Sequence, residues 1–368
     1  MKIVVIGTRG IPNIQGGVET HSQELYPRLV NLGCEVTVIR RSCFVTPNNR
    51  IDNYKGVQLI DLYAPRNSNL ETIVHSFLGI FQAKKIKADI LHIHGIGPSL
   101  VVPFARLLGL KVVVTYHSPN YEHQKWGKLA KTFLKLGEKW SVKYANEVIA
   151  ISNVINNIIK EKYNRNDAWL IYNGVSSATK LATTEYIEHL GLEKEKYILA
   201  LGRFVPEKGF DLLIETFSQI NDPEIKLVIA GDADHETVYS KKLKESAGKH
   251  NVILTGFITG DKLYELLSHA KLFVLPSFHE GLPIALLEAM SYGLNVLASD
   301  IHANKEIGLS LDSYFIAGDK DDLYSKLKRK IYSETVGSVE YDMSQYDWNK
   351  IALQTSNVYR NALTVKKT

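Results

Sequence analysis

Short runs of Val, Ile and Leu recur along this chain at fairly even intervals, and each is close to continuous rather than alternating with polar residues. In the first half they are Ile3 to Ile6, Val36 to Ile39, Val57 to Leu62, Ile90 to Ile93, Val112 to Tyr116 and Val148 to Ile151. A strand that is apolar on both sides is covered on both sides, which is the condition of a parallel sheet sandwiched between helices. Segments with helical periodicity lie between most of the runs. In Thr20 to Leu32, for example, Leu25, Leu29 and Leu32 share one stripe and Gly33 is the stop. The pattern then begins again: Tyr197 to Leu201, Leu227 to Ile229, Val252 to Leu254, Leu272 to Leu275 and Val296 to Ala298, with helices such as Leu212 to Ile220 and Leu263 to Ala270 between them. Strand–helix–strand repeated in two series predicts an α/β protein of two doubly wound domains. The 368 residues suit two such domains. The polar stretch Ser176 to Lys196, just after Asn173-Gly174, is where they change over. In open sheets of this kind ligands bind beyond the carboxyl ends of the strands, so two such domains predict a working cleft between them.

Composition narrows the function classes. The chain is 45% hydrophobic and 23% charged, ordinary for a globular protein, and disorder or a coiled coil is excluded. Its net charge of +5 is too small to argue for nucleic acid as a partner. The two cysteines, Cys34 and Cys43, offer neither a disulfide framework nor metal-ligand spacing, so a reduced, cytoplasmic setting is expected. The apolar start, Met1 to Gly7, is too short for a signal peptide. No stretch reaches the roughly 20 apolar residues of a membrane span.

Chemistry concentrates at the predicted strand ends. Gly7-Thr8-Arg9-Gly10 follows the first strand, and Gly16-Gly17-Val18-Glu19 precedes the first long helix. Glycines there let backbone amides approach a phosphate, although a plain strand-to-helix turn gives the same composition. A dinucleotide site would need Gly-x-Gly-x-x-Gly and an acid at the end of strand two. Here the spacing is wrong and strand two ends in Arg40-Arg41, which counts against an NAD oxidoreductase. At the start of the second domain, Gly202-Arg203-Phe204-Val205-Pro206-Glu207-Lys208-Gly209 puts Arg203 and Lys208 at a strand end, where they suit a diphosphate and its charge on departure. The most specific segment follows Leu272 to Leu275: Pro276-Ser277-Phe278-His279-Glu280-Gly281-Leu282-Pro283-Ile284-Ala285-Leu286-Leu287-Glu288. Gly281 permits a sharp turn, Pro283 suits the first position of a helix, and the amides from Gly281 to Ile284 would point into the cleft. Glu280 and Glu288 are natural acceptors for the paired hydroxyls of a sugar.

Glu280-Gly-Leu-Pro-x-x-x-x-Glu288 resembles the signature of family-four retaining glycosyltransferases with the GT-B fold. Gly16-Gly17, Asn173-Gly174-Val175, Gly202-Arg203 and Lys208-Gly209 occur in that family's order, and Trp348 to Leu363 resembles its last helix. The segments Ile6 to Pro12 and Gly16 to Thr20 are also similar to bacterial rhamnosyltransferase-type members. The resemblance implies two Rossmann-like domains: 1–172 on the acceptor side, with 347–368 packing back on it, and 173–346 for the nucleotide sugar. It implies that Arg203 and Lys208 hold the donor diphosphate, helped by the amides of Gly16 and Gly17. Glu288 would bind the ribose, and Phe257 and Ile258 would meet the base through main chain. Glu280, with the amides of Gly281, Leu282 and Ile284, would orient the sugar, and His117 would lie near it. As catalytic residues the expectation names Glu280, His117, Arg203 and Lys208.

The activity so implied is transfer of a hexose from a nucleotide-diphosphate sugar, with retention, to a saccharide or lipid-linked acceptor in bacterial cell-surface polysaccharide synthesis. No metal or other cofactor is expected, because the helix-end amides and the two cations address the leaving charge. A retaining hydrolase would use one of two carboxylates about 5 Å apart as a nucleophile, whereas Glu280 and Glu288 are assigned to hydroxyls. The competing readings are a nucleotide-sugar 2-epimerase on the same fold and a non-catalytic nucleotide-sugar binder. Finally, Lys125 to Lys143 holds six lysines with only Glu138 opposing. Lys128, Lys131, Lys135 and Lys139 share one helical face, while Trp126, Leu129, Phe133 and Trp140 occupy another. Such a helix either packs its apolar stripe on the core or lies on anionic lipid, the latter as a peripheral contact on the inner face of the cytoplasmic membrane.

Overall fold

A computed structural model describes residues 1–47, 49–66, 70–119, 121, 127–333 and 338–364. The chain forms two units, Met1–Gly174 with Gln345–Thr368, and Val175–Ser344.

The first unit holds an eight-stranded sheet. Its strands are β1 (Lys2–Ile6), β2 (Glu35–Arg41), β3 (Asn53–Tyr54), β4 (Val57–Leu62), β5 (Ile90–His94), β6 (Lys111–Tyr116), β7 (Glu147–Ala150) and β8 (Trp169–Leu170), in the spatial order β3-β4-β2-β1-β5-β6-β7-β8. Every pairing is parallel except β3 with β4. The continuous Val/Ile runs are the central strands, buried on both faces as their composition requires. The helices are α1 (Gly17–Asn31), α2 (Glu71–Ile86), α3 (Val102–Leu107), α4 (Lys128–Tyr144) and α5 (Asn153–Tyr163). The chain runs outward from β1 to β2 and then back across to β5, β6, β7 and β8. Right-handed crossovers therefore put α1 on one face and α2 to α5 on the other.

The second unit holds a six-stranded parallel sheet of β9 (Tyr197–Leu201), β10 (Lys226–Ala230), β11 (Ile253–Gly256), β12 (Leu272–Leu275), β13 (Val296–Ser299) and β14 (Tyr314–Phe315), in the order β11-β10-β9-β12-β13-β14. Its helices are α6 (Glu185–His189), α7 (Phe210–Phe217), α8 (Val238–Lys249), α9 (Asp261–His269), α10 (Ile284–Ser291), α11 (His302–Lys305) and α12 (Lys320–Tyr332). The strand order reverses between β9 and β12, so the loops after these two strands flank a switch point. After α12 the chain returns to the first unit as α13 (Trp348–Thr364), which packs beside α1 and shares a core with Leu25, Leu29 and Val36.

Two expectations need correction. Pro283 is the residue before α10 rather than its first helical position, because its ψ of 99° is extended and the helix begins at Ile284. In α4 the apolar stripe is not the packed face. The buried residues are Gly137, Glu138, Ser141 and Val142, while Leu129 is 73% and Phe133 43% exposed. Glu138, the one acid of the helix, is fully buried and accepts from Lys162 Nζ of α5 at 2.9 and 3.0 Å. Lys125 and Trp126 lie outside the described residues, as do parts of the 65–69 and 120–125 loops. No helix among the described residues is long and apolar enough to cross a membrane.

The seat of α13 is set by contact at Gly174. A Cβ there would lie 2.4 Å from the Trp348 indole, so only glycine lets the two close. Gly174→Ala is expected to overpack this joint and lower the stability of the first unit by about 1–3 kcal/mol. Chemical denaturation measures this, and an unchanged midpoint would contradict the packing account.

Candidate active site

In the second unit the predicted site residues gather at the carboxyl edge of the sheet. The loop after β9 turns on Gly202 and carries Arg203, and its short 3-10 turn, Pro206–Lys208, ends at Gly209. Gly209 has φ +64°, and a Cβ there would meet the Pro276 carbonyl oxygen at 2.3 Å. Glycine thus lets the β9 loop lie directly on the β12 loop, and the Phe278 amide donates to the Glu207 carbonyl at 2.8 Å. The consequence is an ion pair: Lys208 Nζ donates to Glu280 Oε1 at 2.6 Å, with the two side chains 18% and 11% exposed. Ser277 Oγ donates to the same oxygen at 2.7 Å. Arg203 is paired separately, with Asp234 Oδ2 at 2.8 Å. Gly281 and Leu282 continue the β12 loop into α10, whose first residue is Ile284, and Glu288 stands half-buried one turn on. Phe257, 42% exposed, and Ile258 follow Gly256 at the end of the edge strand β11.

Gly16, Gly17 and His117 belong to the first unit. Gly16 precedes α1 and Gly17 opens it, exposed. Beside them Glu19 folds back on the β1 loop, its Oε1 accepting from the Arg9 amide at 2.9 Å and from Thr8 Oγ1 at 3.3 Å. The two arginines that end β2 are engaged in structure. Arg40, fully buried, donates to Asp61 at 2.6 Å and to the carbonyls of Asn49 and Ile51, which shapes the 46–54 loop. Arg41 donates to Glu71 Oε1 at 2.9 Å.

His117 follows β6 and is 8% exposed. Its Nε2 is hydrogen-bonded to His94 Nδ1 at 2.8 Å, and His94 Nε2 to the Tyr26 hydroxyl of α1. His92 Nδ1 is bonded to the hydroxyls of Tyr359 at 2.7 Å and Tyr26 at 3.0 Å, and its Nε2 to Thr115 Oγ1 at 2.7 Å. His21 binds Asn173 Oδ1 through Nδ1 at 3.0 Å, and its ring lies 5.2 Å from that of His117. Nitrogens of His21, His94 and His117 come within 4.8 Å of one another, the one such grouping of metal-ligand types among the described residues. Two of those nitrogens already share a proton at 2.8 Å, so their lone pairs are not both available to an ion. Burial holds the cluster neutral: it lowers His21 to about 4 and His92 to about 3 and pushes His94 and His117 well below the usual histidine range, with neighbouring imidazoles adding to the shift of the last three. His75, buried beside Arg41, falls to about 3 for the same first reason.

Sequence reasoning missed Asp234, Ser277 and the Tyr26–His92–His94 chain. The last had a signal: His92 and His94 stand at alternate positions of an otherwise apolar strand, hence on one face.

Residues 15–178 match the family described as Glycosyltransferase Family 4, and residues 183–335 match Glycosyl transferases group 1. Over 99% of both chains the sequence is 26% identical to an uncharacterized glycosyltransferase of Methanocaldococcus jannaschii. Over 65% of each chain it is 30% identical to the UDP-Gal:alpha-D-GlcNAc-diphosphoundecaprenol alpha-1,3-galactosyltransferase of Escherichia coli. Among solved structures, Anabaena HepE in complex with UDP and glucose matches with a TM-score of 0.78 at 17% identity, over 98% of this chain and 99% of that one.

The neutral histidines predict acid sensitivity. An unfolded histidine titrates near 6.5, so from there down to about 4 the unfolded chain takes up protons that the folded one refuses. The stability is present above pH 6.5 and is lost as pH falls, by about 1.4 kcal/mol per pH unit for each such histidine. The denaturation midpoint of the first unit should therefore drop steeply between pH 7 and pH 5, and a flat profile would contradict the buried neutral cluster.

Proposed function

Starting from a glycosyltransferase with the GT-B fold, matched to glycosyltransferase families over both halves of the chain, we propose that this protein transfers a hexose from a nucleotide-diphosphate sugar with retention of configuration. The observation that carries this reading is the pairing of Lys208 with Glu280 at 2.6 Å. A nucleotide sugar joins a group that needs cations, the diphosphate, directly to one that needs hydroxyl acceptors, the hexose. An ammonium beside a carboxylate presents both in that order. Lys208 and Arg203 bind the diphosphate and stabilise its charge as the sugar leaves, with the amides of Gly16 and Gly17 assisting. Glu280 and the amides of Gly281, Leu282 and Ile284 orient the sugar, Glu288 takes the ribose hydroxyls, and the main chain at Phe257 and Ile258 meets the base. His117 lies on the sugar side. The acceptor hydroxyl attacks from the face that the phosphate leaves, and the departing phosphate takes its proton, so no carboxylate acts as nucleophile and no metal is required. The relatives' names support a UDP-sugar donor and a saccharide or lipid-linked acceptor, and the proposal places the transfer in cell-surface polysaccharide synthesis. The rhamnosyltransferase-like opening segments add dTDP-rhamnose to the donors to be screened.

Glu280→Ala is expected to lower kcat by at least about a hundredfold, the scale of losing an aligned electrostatic group. Product release from a panel of UDP-, GDP-, ADP- and dTDP-sugars measures it, and the anomeric coupling of the product reads retention. Near-normal turnover in Glu280→Ala sinks the assignment, and an inverted product sinks the mechanism.

The acceptor side of the reading includes peripheral contact with the inner face of the cytoplasmic membrane through α4. What supports it is the pattern of exposure. Leu129 and Phe133 of α4, Phe104 and Leu107 of α3 and Phe81 of α2 are all exposed, Leu107 by 85%, and Phe104 stacks edgewise on Trp140. These helices lie on one face of the sheet, and Lys128, Lys135 and Lys139 are exposed beside the apolar stripe. Each such lysine contributes about 1 kcal/mol near an anionic surface. The chain should sediment with vesicles containing phosphatidylglycerol and not with phosphatidylcholine alone. Replacing Lys128, Lys131, Lys135 and Lys139 by Glu should abolish this, and unchanged binding would rule the contact out.

A further inference from the structure

The Glu280 carboxylate is held by more than Lys208. Its Oε1 takes two donors, Lys208 Nζ at 2.6 Å and Ser277 Oγ at 2.7 Å, while its Oε2 has no partner among the described residues. Behind Ser277 stands a line of buried polar groups. Ser299 Oγ, at the end of β13, donates to the Ser277 carbonyl. Asn304 Nδ2 of α11 donates to the Ser299 carbonyl at 2.9 Å and to Ser299 Oγ at 3.0 Å. Each of these bonds has a direction, because each ends on an acceptor that cannot donate. The Ser299 carbonyl requires the Asn304 atom facing it to be the amide nitrogen. That nitrogen has a proton for the carbonyl and another for Oγ, so the Ser299 hydroxyl keeps its own proton for the Ser277 carbonyl. Glu280, ionised beside Lys208, only accepts, so the Ser277 hydroxyl gives its proton to the carboxylate. Ser277, Ser299 and Asn304 are all fully buried.

We propose that Ser277 is a positioning residue that keeps the Glu280 carboxylate aimed at the sugar once the diphosphate has drawn Lys208 away. This rests on the assignment of Lys208 to the diphosphate and Glu280 to the sugar, and it supplies what that reading needs. A phosphate on Lys208 takes the ammonium, and the carboxylate then loses one of its two holds. A flexible glutamate side chain with no other tether would turn away from the hydroxyls it has to meet. Ser277 supplies the tether, and its own place does not depend on Glu280. Its carbonyl is fixed by Ser299. Its neighbours lie on the β9 loop, where the Phe278 amide donates to the Glu207 carbonyl at 2.8 Å and Gly209 sits against the Pro276 carbonyl. The Ser277 hydroxyl makes no hydrogen bond among the described residues except to Glu280, so its side chain serves the carboxylate and not the loop. With Oε1 on Ser277, Oε2 and the Oε1 lone pair that Lys208 gives up keep set directions for sugar hydroxyls. All of these groups belong to the second unit.

The test uses the full chain and Ser277→Ala, which removes the hydroxyl and leaves the backbone bonds in place. The free protein keeps its Lys208–Glu280 pair, so the melting temperature should fall by no more than about 4 °C, the scale of one hydrogen bond. UDP, which offers a diphosphate and no sugar, should bind as tightly as it does to the wild type in titration calorimetry. Turnover of UDP-glucose, or of whichever panel sugar is used with its own nucleoside diphosphate as the binding probe, should lose roughly ten- to a hundredfold in kcat, the scale of a misplaced reacting group. In a Glu280→Ala background, Ser277→Ala should cost less than about twofold more, because the group it positions is already gone. An unchanged kcat in Ser277→Ala overturns the proposal, and so does a full further loss on top of Glu280→Ala. A joint collapse of melting temperature and UDP binding also overturns it, since the hydroxyl would then hold the loop and not the carboxylate. Near-normal turnover in Glu280→Ala alone is a separate result: it overturns the sugar reading itself and takes the proposal with it.

Discussion

One ion pair organises the charge at the edge of the second sheet. Lys208 and Glu280 come from loops that follow neighbouring strands, β9 and β12, and they meet at 2.6 Å because Gly209 lets the loops lie in contact. Neither charge is free to wander: Ser277 fixes the carboxylate oxygen that Lys208 uses, and the Ser299 hydroxyl of β13 donates to the Ser277 carbonyl from behind. A half-buried pair of this kind costs desolvation that its Coulombic attraction offsets only while both partners are present. Removing either member leaves the other charge bare, whereas a ligand that offers phosphate to one and hydroxyls to the other would replace the internal contact without doing so. Arg203, held by Asp234, adds a second cation to the same loop.

The first unit is built on the opposite electrostatic principle. Its strand ends carry imidazoles held neutral by burial and joined to one another and to buried phenols by hydrogen bonds. The cations nearby are consumed by structure, Arg40 in shaping the 46–54 loop and Arg41 in pairing with Glu71. Charge pairs thus mark the strand ends of the second unit, and neutral hydrogen bonding those of the first.

The two-sheet architecture was legible in the sequence because doubly buried strands need unbroken apolar runs, and those runs were long enough to see. The two-residue strands β3, β8 and β14 carry no such signal and were missed. Glu280, Arg203 and Lys208 were legible as a motif, but their partners were not. Asp234 lies 31 residues from Arg203 and Ser277 sits inside the motif without a pattern of its own, and only the fold brings them into contact. The helix α4 shows the limit most clearly. Periodicity gave its apolar and basic stripes correctly, yet it could not say which face packs. The buried face turned out to be Gly137, Glu138, Ser141 and Val142, with a carboxylate neutralised by Lys162 from the next helix. Hydrophobicity alone would have assigned that face to Leu129 and Phe133, which the structure leaves exposed.

The central claim is that the Lys208–Glu280 pair is the meeting point of diphosphate and sugar. A crystal structure with the intact nucleotide sugar that the enzyme turns over tests it most directly. The account predicts diphosphate oxygens within hydrogen-bond distance of Lys208 Nζ and the Arg203 guanidinium, and sugar hydroxyls on the Glu280 carboxylate. A nucleotide sugar bound elsewhere, with the 2.6 Å contact between Lys208 and Glu280 untouched, would contradict it.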